Sequence, residues 1–108
     1  MNLPTEIFGD VMVVHTPDEL GSDQSGTFET YFENVERDNV VLDLDSTESI
    51  DSAGLSALAN VQELLRARNG DLKIATTNAT NRKILEITRL DEQFDVFDSV
   101  IDAVKSFR

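Results

Sequence analysis

The residues best suited to chemistry lie in one short segment, Asp43–Leu55, which reads DLDSTESIDSAGL and holds four acids and three serines. Carboxylates at such spacing could hold a divalent cation or transfer a proton, and an exposed serine hydroxyl could accept a phosphoryl group. The segment lies between two apolar runs, VVLDL and LSALANVQELL. These residue types are therefore compatible with three chemistries: phosphoester hydrolysis, phosphorylation of an aspartate and phosphorylation of a serine.

The first possibility is a phosphohydrolase built on Asp43 and Asp45. An Asp at a strand end with a second Asp two residues later resembles the haloacid-dehalogenase phosphatase motif, in which the first acid attacks and the second shuttles a proton. That chemistry also needs Mg²⁺ held by further carboxylates and a cation for the phosphoryl group, normally spread over a longer chain. A simpler interpretation is one Asp exposed on a strand and one in a turn.

The second possibility is a receiver domain of two-component signalling, which has a similar length and a phosphorylated Asp at a strand end. Its metal site requires an acidic pair directly after the first strand. Here that strand ends in His15–Glu19, which reads HTPDE, so the acidic residues come too late in the sequence. In addition, Thr76–Asn78 stands at the later strand end where a lysine is expected. The residues therefore do not supply the receiver metal site.

The third possibility uses Ser52, which stands directly before an apolar helical period. Asp51–Gly54 reads DSAG, so Ser52 is predicted to be the helix N-cap, with its hydroxyl accepting a hydrogen bond from a first-turn N–H. The same position exposes the hydroxyl at the positive end of the helix dipole, where a phosphate is well tolerated. Gly54 would cost roughly 1 kcal/mol relative to Ala inside a helix, and we interpret it as keeping the approach to the hydroxyl open.

The elements that position these residues follow from the hydrophobic pattern. Short apolar runs bounded by turn residues predict four strands, at 11–14, 40–44, 72–75 and 94–97. Residues at helical spacing predict four helices, marked by Phe28, Tyr31, Phe32 and Val35; Leu55, Leu58, Val61 and Leu65; Ile84, Ile87 and Thr88; and Val100, Ile101, Val104 and Phe107.

Strands and helices alternate along the chain, which favours a mainly parallel sheet with helices packed on it through right-handed crossovers. The predicted fold class is therefore α/β. Asn69-Gly70 predicts the end of the second helix, and Thr77-Asn78 predicts the N-cap of the third. Functional loops of such sheets gather at the carboxyl ends of the strands, so the segment Asp43–Leu55 is expected on that edge.

Composition limits the kinds of partner. The formal charge is −12, and residues 1–50 hold 12 acids and one base. A field of that sign repels nucleic-acid phosphates and anionic lipids, so we expect no direct nucleic-acid binding and no membrane binding. A basic protein surface is compatible with it.

The length of 108 residues, without a Pro- or Gly-rich linker, predicts a single domain over 1–108. The absence of cysteine and the presence of only one histidine exclude disulfides and argue against a zinc site. The first ten residues lack the basic start and apolar run of a signal peptide, and no apolar stretch is long enough to span a bilayer. We therefore expect a cytoplasmic protein.

Two longer blocks of the sequence resemble a known family. VVLDLDSTESIDSAGLSAL is similar to the strand, loop and D-S-[STA]-G-L helix start of the STAS domains of bacterial anti-sigma factor antagonists. LKIATTNATNRKILEITRLDEQFDVFDSVIDAV is similar to their downstream strand, helix, L-x-x-T-x-L-D turn, F-x-V strand and closing helix. The resemblance covers about Gly9 to Phe107. It implies a STAS-type small mixed, mainly parallel sheet of four to five strands with about four helices packed on it.

The resemblance also implies a function, that of a partner switch. The unmodified domain would bind an anti-sigma factor that is also a serine kinase, and phosphorylation of Ser52 would release it. ATP and Mg²⁺ would belong to that partner, so the chain itself is expected to be no enzyme and to hold no cofactor. A PP2C-type phosphatase is a further candidate partner. The expected partner-binding residues surround Ser52 and the start of the first helix: Asp51, Ala53, Gly54, Leu55, Gly21, Ser22 and Asp23.

Two features depart from the family pattern. The loop before the first helix often reads G-x-[IL]-D in the family, whereas Asp18–Asp23 reads DELGSD, so that acid is displaced or lost. Members also commonly have an additional strand before the one at 11–14, and here only Met1–Phe8 is available to form it. The same domain serves elsewhere as a stressosome-type scaffold or as a small subunit of lipid-transport ABC complexes. A neighbouring kinase gene would favour the switch, and a neighbouring ABC ATPase gene the transporter subunit.

Overall fold

The computed structural model describes residues 1–107, in which strands and helices alternate. The strands are β1 (Thr5–Phe8), β2 (Val11–His15), β3 (Glu19–Leu20), β4 (Asn39–Asp43), β5 (Ser49–Ile50), β6 (Asp71–Ala75) and β7 (Val96–Phe97). The helices are α1 (Ser22–Glu33), α2 (Ser52–Ala67), α3 (Ala79–Ile87), α4 (Leu90–Gln93) and α5 (Val100–Lys105). The predicted α/β class is confirmed.

Five strands form the main sheet in the order β1-β2-β4-β6-β7. The pairs β2–β4, β4–β6 and β6–β7 are parallel, whereas β1 pairs antiparallel with β2 and places Thr5 opposite Val14. The sheet is therefore mixed and mainly parallel, as the resemblance implied. The segment Met1–Phe8 does supply the additional N-terminal strand.

The remaining two strands, β3 and β5, form a small parallel pair apart from the main sheet, with Leu20 opposite Ile50. Each has only two residues, which is too short for a periodic pattern, and the sequence did not predict them. The short helix α4 was also not predicted. Its C-cap is Phe94, which is buried in the core, so β7 begins only at Val96 and is shorter than the predicted strand at 94–97.

The central strands β2 and β4 of the main sheet are buried on both faces, which explains why they read as continuous apolar runs. Successive side chains of β2 point to opposite faces. Met12 and Val14 belong to a core formed with α1, α2 and α3, whereas Val11 and Val13 belong to a second core formed with α5. Helix α5 therefore lies on the opposite side of the sheet from α1 and α2.

The predicted start of α3 is confirmed. The side-chain oxygen of Asn78 accepts hydrogen bonds from the backbone N–H groups of Thr80 and Asn81. Asn78 is therefore the N-cap of α3, and it ties the loop after β6 to that helix.

The predicted end of α2 is also confirmed. Asn69 takes the left-handed conformation, with a φ of 67°, and the backbone N–H of Gly70 donates to the carbonyl of Leu65 at 2.9 Å. This pattern closes the helix by satisfying its last carbonyls. Gly70 is needed for a different reason, because a Cβ at that position would lie 1.9 Å from the carbonyl oxygen of Asp38.

Within residues 1–107, none of the helices has the length and apolar character that crossing a membrane requires.

Candidate functional site

The small pair β3–β5 brings the starts of two helices together. Helix α1 begins at Ser22, two residues after Leu20 at the end of β3, and α2 begins at Ser52, two residues after Ile50 at the end of β5. Because Leu20 and Ile50 are paired in parallel register, both helices start from the same edge. The two segments predicted to form the partner surface are thus neighbours in the structure.

The N-cap of α2 is Asp51, and the predicted N-cap role of Ser52 is wrong. The Oδ1 atom of Asp51 accepts a hydrogen bond from the backbone N–H of Gly54 at 3.0 Å. The backbone of Asp51 is extended, with φ −111° and ψ −175°, which is the conformation of an N-cap residue. Ser52 is therefore the first residue inside the helix, and its side chain is exposed to solvent.

Asp51 also contacts the other helix. Its Oδ2 atom accepts a hydrogen bond from the backbone N–H of Ser22 at 3.1 Å. The hydrogen bond from Gly54 is the largest cause that lowers the pKa of Asp51, slight burial opposes it, and the Ser22 N–H lowers it further. The side chain of Asp51 is thus a charged carboxylate at neutral pH, held between two helix N-termini that both favour negative charge.

Gly54 has a structural role that differs from the predicted one. It is buried, and a Cβ at this position would lie 1.9 Å from the carbonyl oxygen of Leu20. Gly54 therefore allows α2 to pack directly against the backbone of β3, and the idea that it keeps the approach to the Ser52 hydroxyl open is wrong. A side chain at this position would force the start of α2 away from β3.

The other residues of the predicted partner surface differ in exposure. Ser22, Asp23, Asp51 and Ser52 are exposed, and they form the accessible part of the edge. The half-buried residues are Gly21, Ala53 and Leu55, of which Leu55 packs against the main core.

Asp43 is engaged with its neighbours at the end of β4. Its Oδ2 atom lies 3.0 Å from Nδ1 of His15, and its Oδ1 atom accepts the backbone N–H of Asp45 at 3.0 Å. The Nε2 atom of His15 in turn lies 3.3 Å from Oε2 of Glu6. Asp43 thus helps to connect β4 with β2 and the edge strand β1.

Asp45 connects the loop after β4 with the loop after β6. Its Oδ1 atom accepts hydrogen bonds from the hydroxyl of Thr76 at 3.0 Å and from the backbone N–H of Thr77 at 2.7 Å. Its Oδ2 atom accepts a hydrogen bond from the hydroxyl of Thr77 at 3.0 Å. Burial, the largest single influence, acts to raise the pKa of Asp45, but the hydrogen bonds from Thr77 and Thr76 outweigh it and lower the pKa. Within residues 1–107, no three His, Cys, Asp or Glu side chains lie close enough together to hold a metal ion.

A buried polar group holds the loop that leads to Asp51. Asn81, on α3, donates hydrogen bonds from Nδ2 to the carbonyl oxygens of Leu44 at 3.0 Å and Thr47 at 2.9 Å. The hydroxyl of Thr47 lies 2.6 Å from the carbonyl oxygen of Pro17. Sequence reasoning missed these contacts, although a polar Asn among the apolar positions of α3 is the kind of signal that could have indicated them.

The edge that carries both helix starts is strongly acidic. Its exposed acids are Asp18, Glu19, Asp23, Glu48 and Asp51. Residues 1–50 contain a single basic residue, Arg37, so little positive charge offsets them. A basic protein surface is the complementary partner for such an edge.

The family model described as the STAS domain matches residues 2–103, and the chain belongs to this family. A curated relative from Thermotoga maritima, named "Putative anti-sigma factor antagonist", is 25% identical over 109 residues, which is 97% of this chain and 96% of the relative.

Solved structures show the same fold. A crystal structure of a protein with the same description from Thermotoga maritima superposes with a TM-score of 0.86 at 23% identity, covering 96% of this chain and 92% of the other. An anti-sigma factor antagonist from Mycobacterium paratuberculosis gives a TM-score of 0.84 at 24% identity, covering 97% and 92%. The phosphorylated form of the Bacillus cell fate determinant SpoIIAA gives 0.67 at 15% identity, covering 99% and 100%.

Proposed function

We propose that this STAS protein is an anti-sigma factor antagonist whose binding is switched by phosphorylation of Ser52. The observation that carries the proposal is the position of Ser52, exposed at the first residue of α2 and directly after the charged N-cap Asp51. Support also comes from the names of the relatives, and from SpoIIAA, for which a phosphorylated form has been solved.

In the unmodified state, the acidic edge at the starts of α1 and α2 binds a basic surface of an anti-sigma factor. The exposed residues Ser22, Asp23, Asp51 and Ser52 form the centre of this surface. Complementary charge accelerates association, and it selects against partners whose surface is acidic. Occupation of the anti-sigma factor releases the sigma factor that it would otherwise hold.

The switch is a single phosphoryl transfer carried out by the partner, which is also a serine kinase. The Oγ atom of Ser52 forms a bond to the γ-phosphorus of ATP bound to the partner, and the bond from that phosphorus to the β-phosphate bridging oxygen breaks. ADP leaves, and the hydroxyl proton passes to a base of the partner or to water. This chain supplies the acceptor hydroxyl and performs no catalysis of its own.

Phosphorylation adds about −1.5 to −2 charges beside the carboxylate of Asp51. A doubly charged group at the centre of a desolvated interface opposes rebinding without any need to refold the domain. A PP2C-type phosphatase would restore the hydroxyl, and the cycle would take place in the cytoplasm, where ATP is available.

The direct test is phosphorylation by an anti-sigma factor with serine kinase activity, taken from a gene beside this one. With MgATP, the kinase should modify the wild-type protein at Ser52, as located by mass spectrometry, and should leave Ser52→Ala unmodified. Modification of Ser52→Ala to the same extent as wild type would contradict the assignment. Binding without any phosphorylation would support an anti-sigma factor antagonist that is not switched at Ser52.

A further inference from the structure

The start of α1 depends on a side chain from another part of the chain. Gly21, at its N-cap position, has no side chain with which to accept a hydrogen bond, and its own N–H donates to Oε1 of Gln24 at 3.0 Å. The N–H of Ser22, the first residue of α1, is accepted by Oδ2 of Asp51. One carboxylate therefore serves the first turns of both α1 and α2.

The absence of a side chain at Gly21 is what lets this carboxylate approach. A Cβ at position 21 would lie 2.9 Å from Oδ2 of Asp51, which is closer than real Cβ contacts permit. The backbone at Gly21 is extended, with φ −125° and ψ −164°, so its conformation alone does not require glycine. The close approach of Asp51 gives a physical reason for glycine at this position.

We infer that Asp51 is a positioning residue that holds the start of α1 against the start of α2, and that a phosphate on Ser52 acts on α1 by breaking the Asp51–Ser22 hydrogen bond. This inference rests on the proposed function. It adds a route by which one modified serine changes both halves of the docking surface.

Phosphorylation of Ser52 would place two anionic groups close together at one helix terminus. Phosphoserine at position 52 would follow Asp51 directly, and both groups would favour the same first-turn N–H groups of α2. Their repulsion displaces the carboxylate, whose hydrogen bond to Ser22 joins two segments 29 positions apart. When that bond is lost, the β3–β5 pairing still holds the two helices together, but the first turn of α1, with Ser22 and Asp23, loses its hydrogen bond to the start of α2.

Two substitutions should remove the hydrogen bond between Asp51 and Ser22 while leaving the N-terminus of α2 capped. Serine is as good an N-cap residue as aspartate, so Asp51→Ser keeps α2 capped, but its single, shorter oxygen cannot also reach Ser22. Gly21→Ala disturbs the same bond from the other side, because the new Cβ displaces Oδ2 of Asp51. Glu48→Gln is the matched control, since it removes one exposed charge from the same edge.

The readout is the solvent-exchange rate of the Ser22 amide, measured by NMR on the free protein. A lost hydrogen bond of ordinary strength corresponds to about fivefold faster exchange, and this is expected in Asp51→Ser, Gly21→Ala and Ser52→Asp. Glu48→Gln and the neutral Ser52→Asn should leave the rate unchanged. The amide of Leu58, buried inside α2, reports whether each variant stays folded.

The outcomes distinguish the effect of a charge at position 52 on the Asp51–Ser22 hydrogen bond from its effect on partner binding. Suppose that Ser52→Asp binds the anti-sigma partner weakly but leaves exchange at Ser22 unchanged. The inferred effect on the Asp51–Ser22 hydrogen bond is then wrong, whereas the proposed switch at Ser52 is still supported. If Ser52→Asp binds as tightly as wild type, the proposed function fails, whatever happens at Ser22. Unchanged Ser22 exchange in both Asp51→Ser and Gly21→Ala would also overturn the positioning role.

Discussion

The Oδ2 atom of Asp51 lies 3.1 Å from the backbone nitrogen of Ser22, although 29 positions separate the two residues. This hydrogen bond, together with the one from Gly54 to Oδ1, makes a single carboxylate the common cap of α1 and α2. It places the exposed Ser52 beside the start of α1, where a partner can contact both helices at once.

Because Asp51 rather than Ser52 caps α2, Ser52→Ala should have little effect on stability. We expect a change in the free energy of unfolding within about 0.5 kcal/mol, as for other exposed positions without a special contact. Denaturant unfolding of both proteins measures this difference. A loss of 1 kcal/mol or more, at the level of a removed N-cap, would return the capping role to Ser52.

Stability should depend on acidic pH through Asp51. The folded state lowers the pKa of this carboxylate, chiefly through the Gly54 N–H, so its stabilising contribution is full above the unfolded pKa of about 3.9 and is lost as the pH falls through the lower folded value. Asp51→Ala should lower the Tm by several degrees at neutral pH.

The Tm difference between wild type and Asp51→Ala should therefore shrink as the pH falls below about 4 and stay constant above about 5. Thermal unfolding followed by circular dichroism across this range measures it. A difference that is the same at pH 3 and pH 7 would mean that the carboxylate contributes nothing as a charged cap.

Gly54→Ala should destabilise the protein, even though alanine is the better helix former. The new methyl group would overlap the carbonyl oxygen of Leu20, and such overpacking typically costs about 1–3 kcal/mol. Gly26 in α1 is the matched control, because a Cβ there meets nothing within 4 Å. Gly26→Ala should stabilise by about 0.5–1 kcal/mol, and equal effects of the two substitutions would contradict the packing role of Gly54.

The central strands β2 and β4 could be predicted because they are buried on both faces, and the longer helices could be predicted because each has one apolar side. The N-cap residue of α2 could not be predicted, because Asp51 and Ser52 are both good N-cap residue types and are adjacent in sequence. The tertiary structure decides between them, because the carboxylate of Asp51 accepts hydrogen bonds from Ser22 as well as from Gly54. The role of Gly54 was hidden for the same reason, since the backbone it contacts belongs to the two-residue strand β3.

Association with the anti-sigma partner should slow as the salt concentration rises, because the acidic edge steers a basic surface. Asp23→Lys, on the exposed first turn of α1, should slow the association rate most, whereas Asp102→Lys on α5 should change it little. Helix α5 packs on the other face of the sheet, which makes Asp102 a suitable control. Stopped-flow kinetics measure both rates, and a larger effect at Asp102 would place the docking surface elsewhere.

The most direct test of the switch is the affinity of the anti-sigma partner for wild type, Ser52→Ala and Ser52→Asp, measured by isothermal titration calorimetry. An acid at the first position of a helix is compatible with folding, so Ser52→Asp should be folded and yet bind at least about tenfold more weakly than wild type. Ser52→Ala should bind as tightly as wild type, because the unmodified surface makes the contact. Equal affinities for Ser52→Asp and wild type would contradict the account.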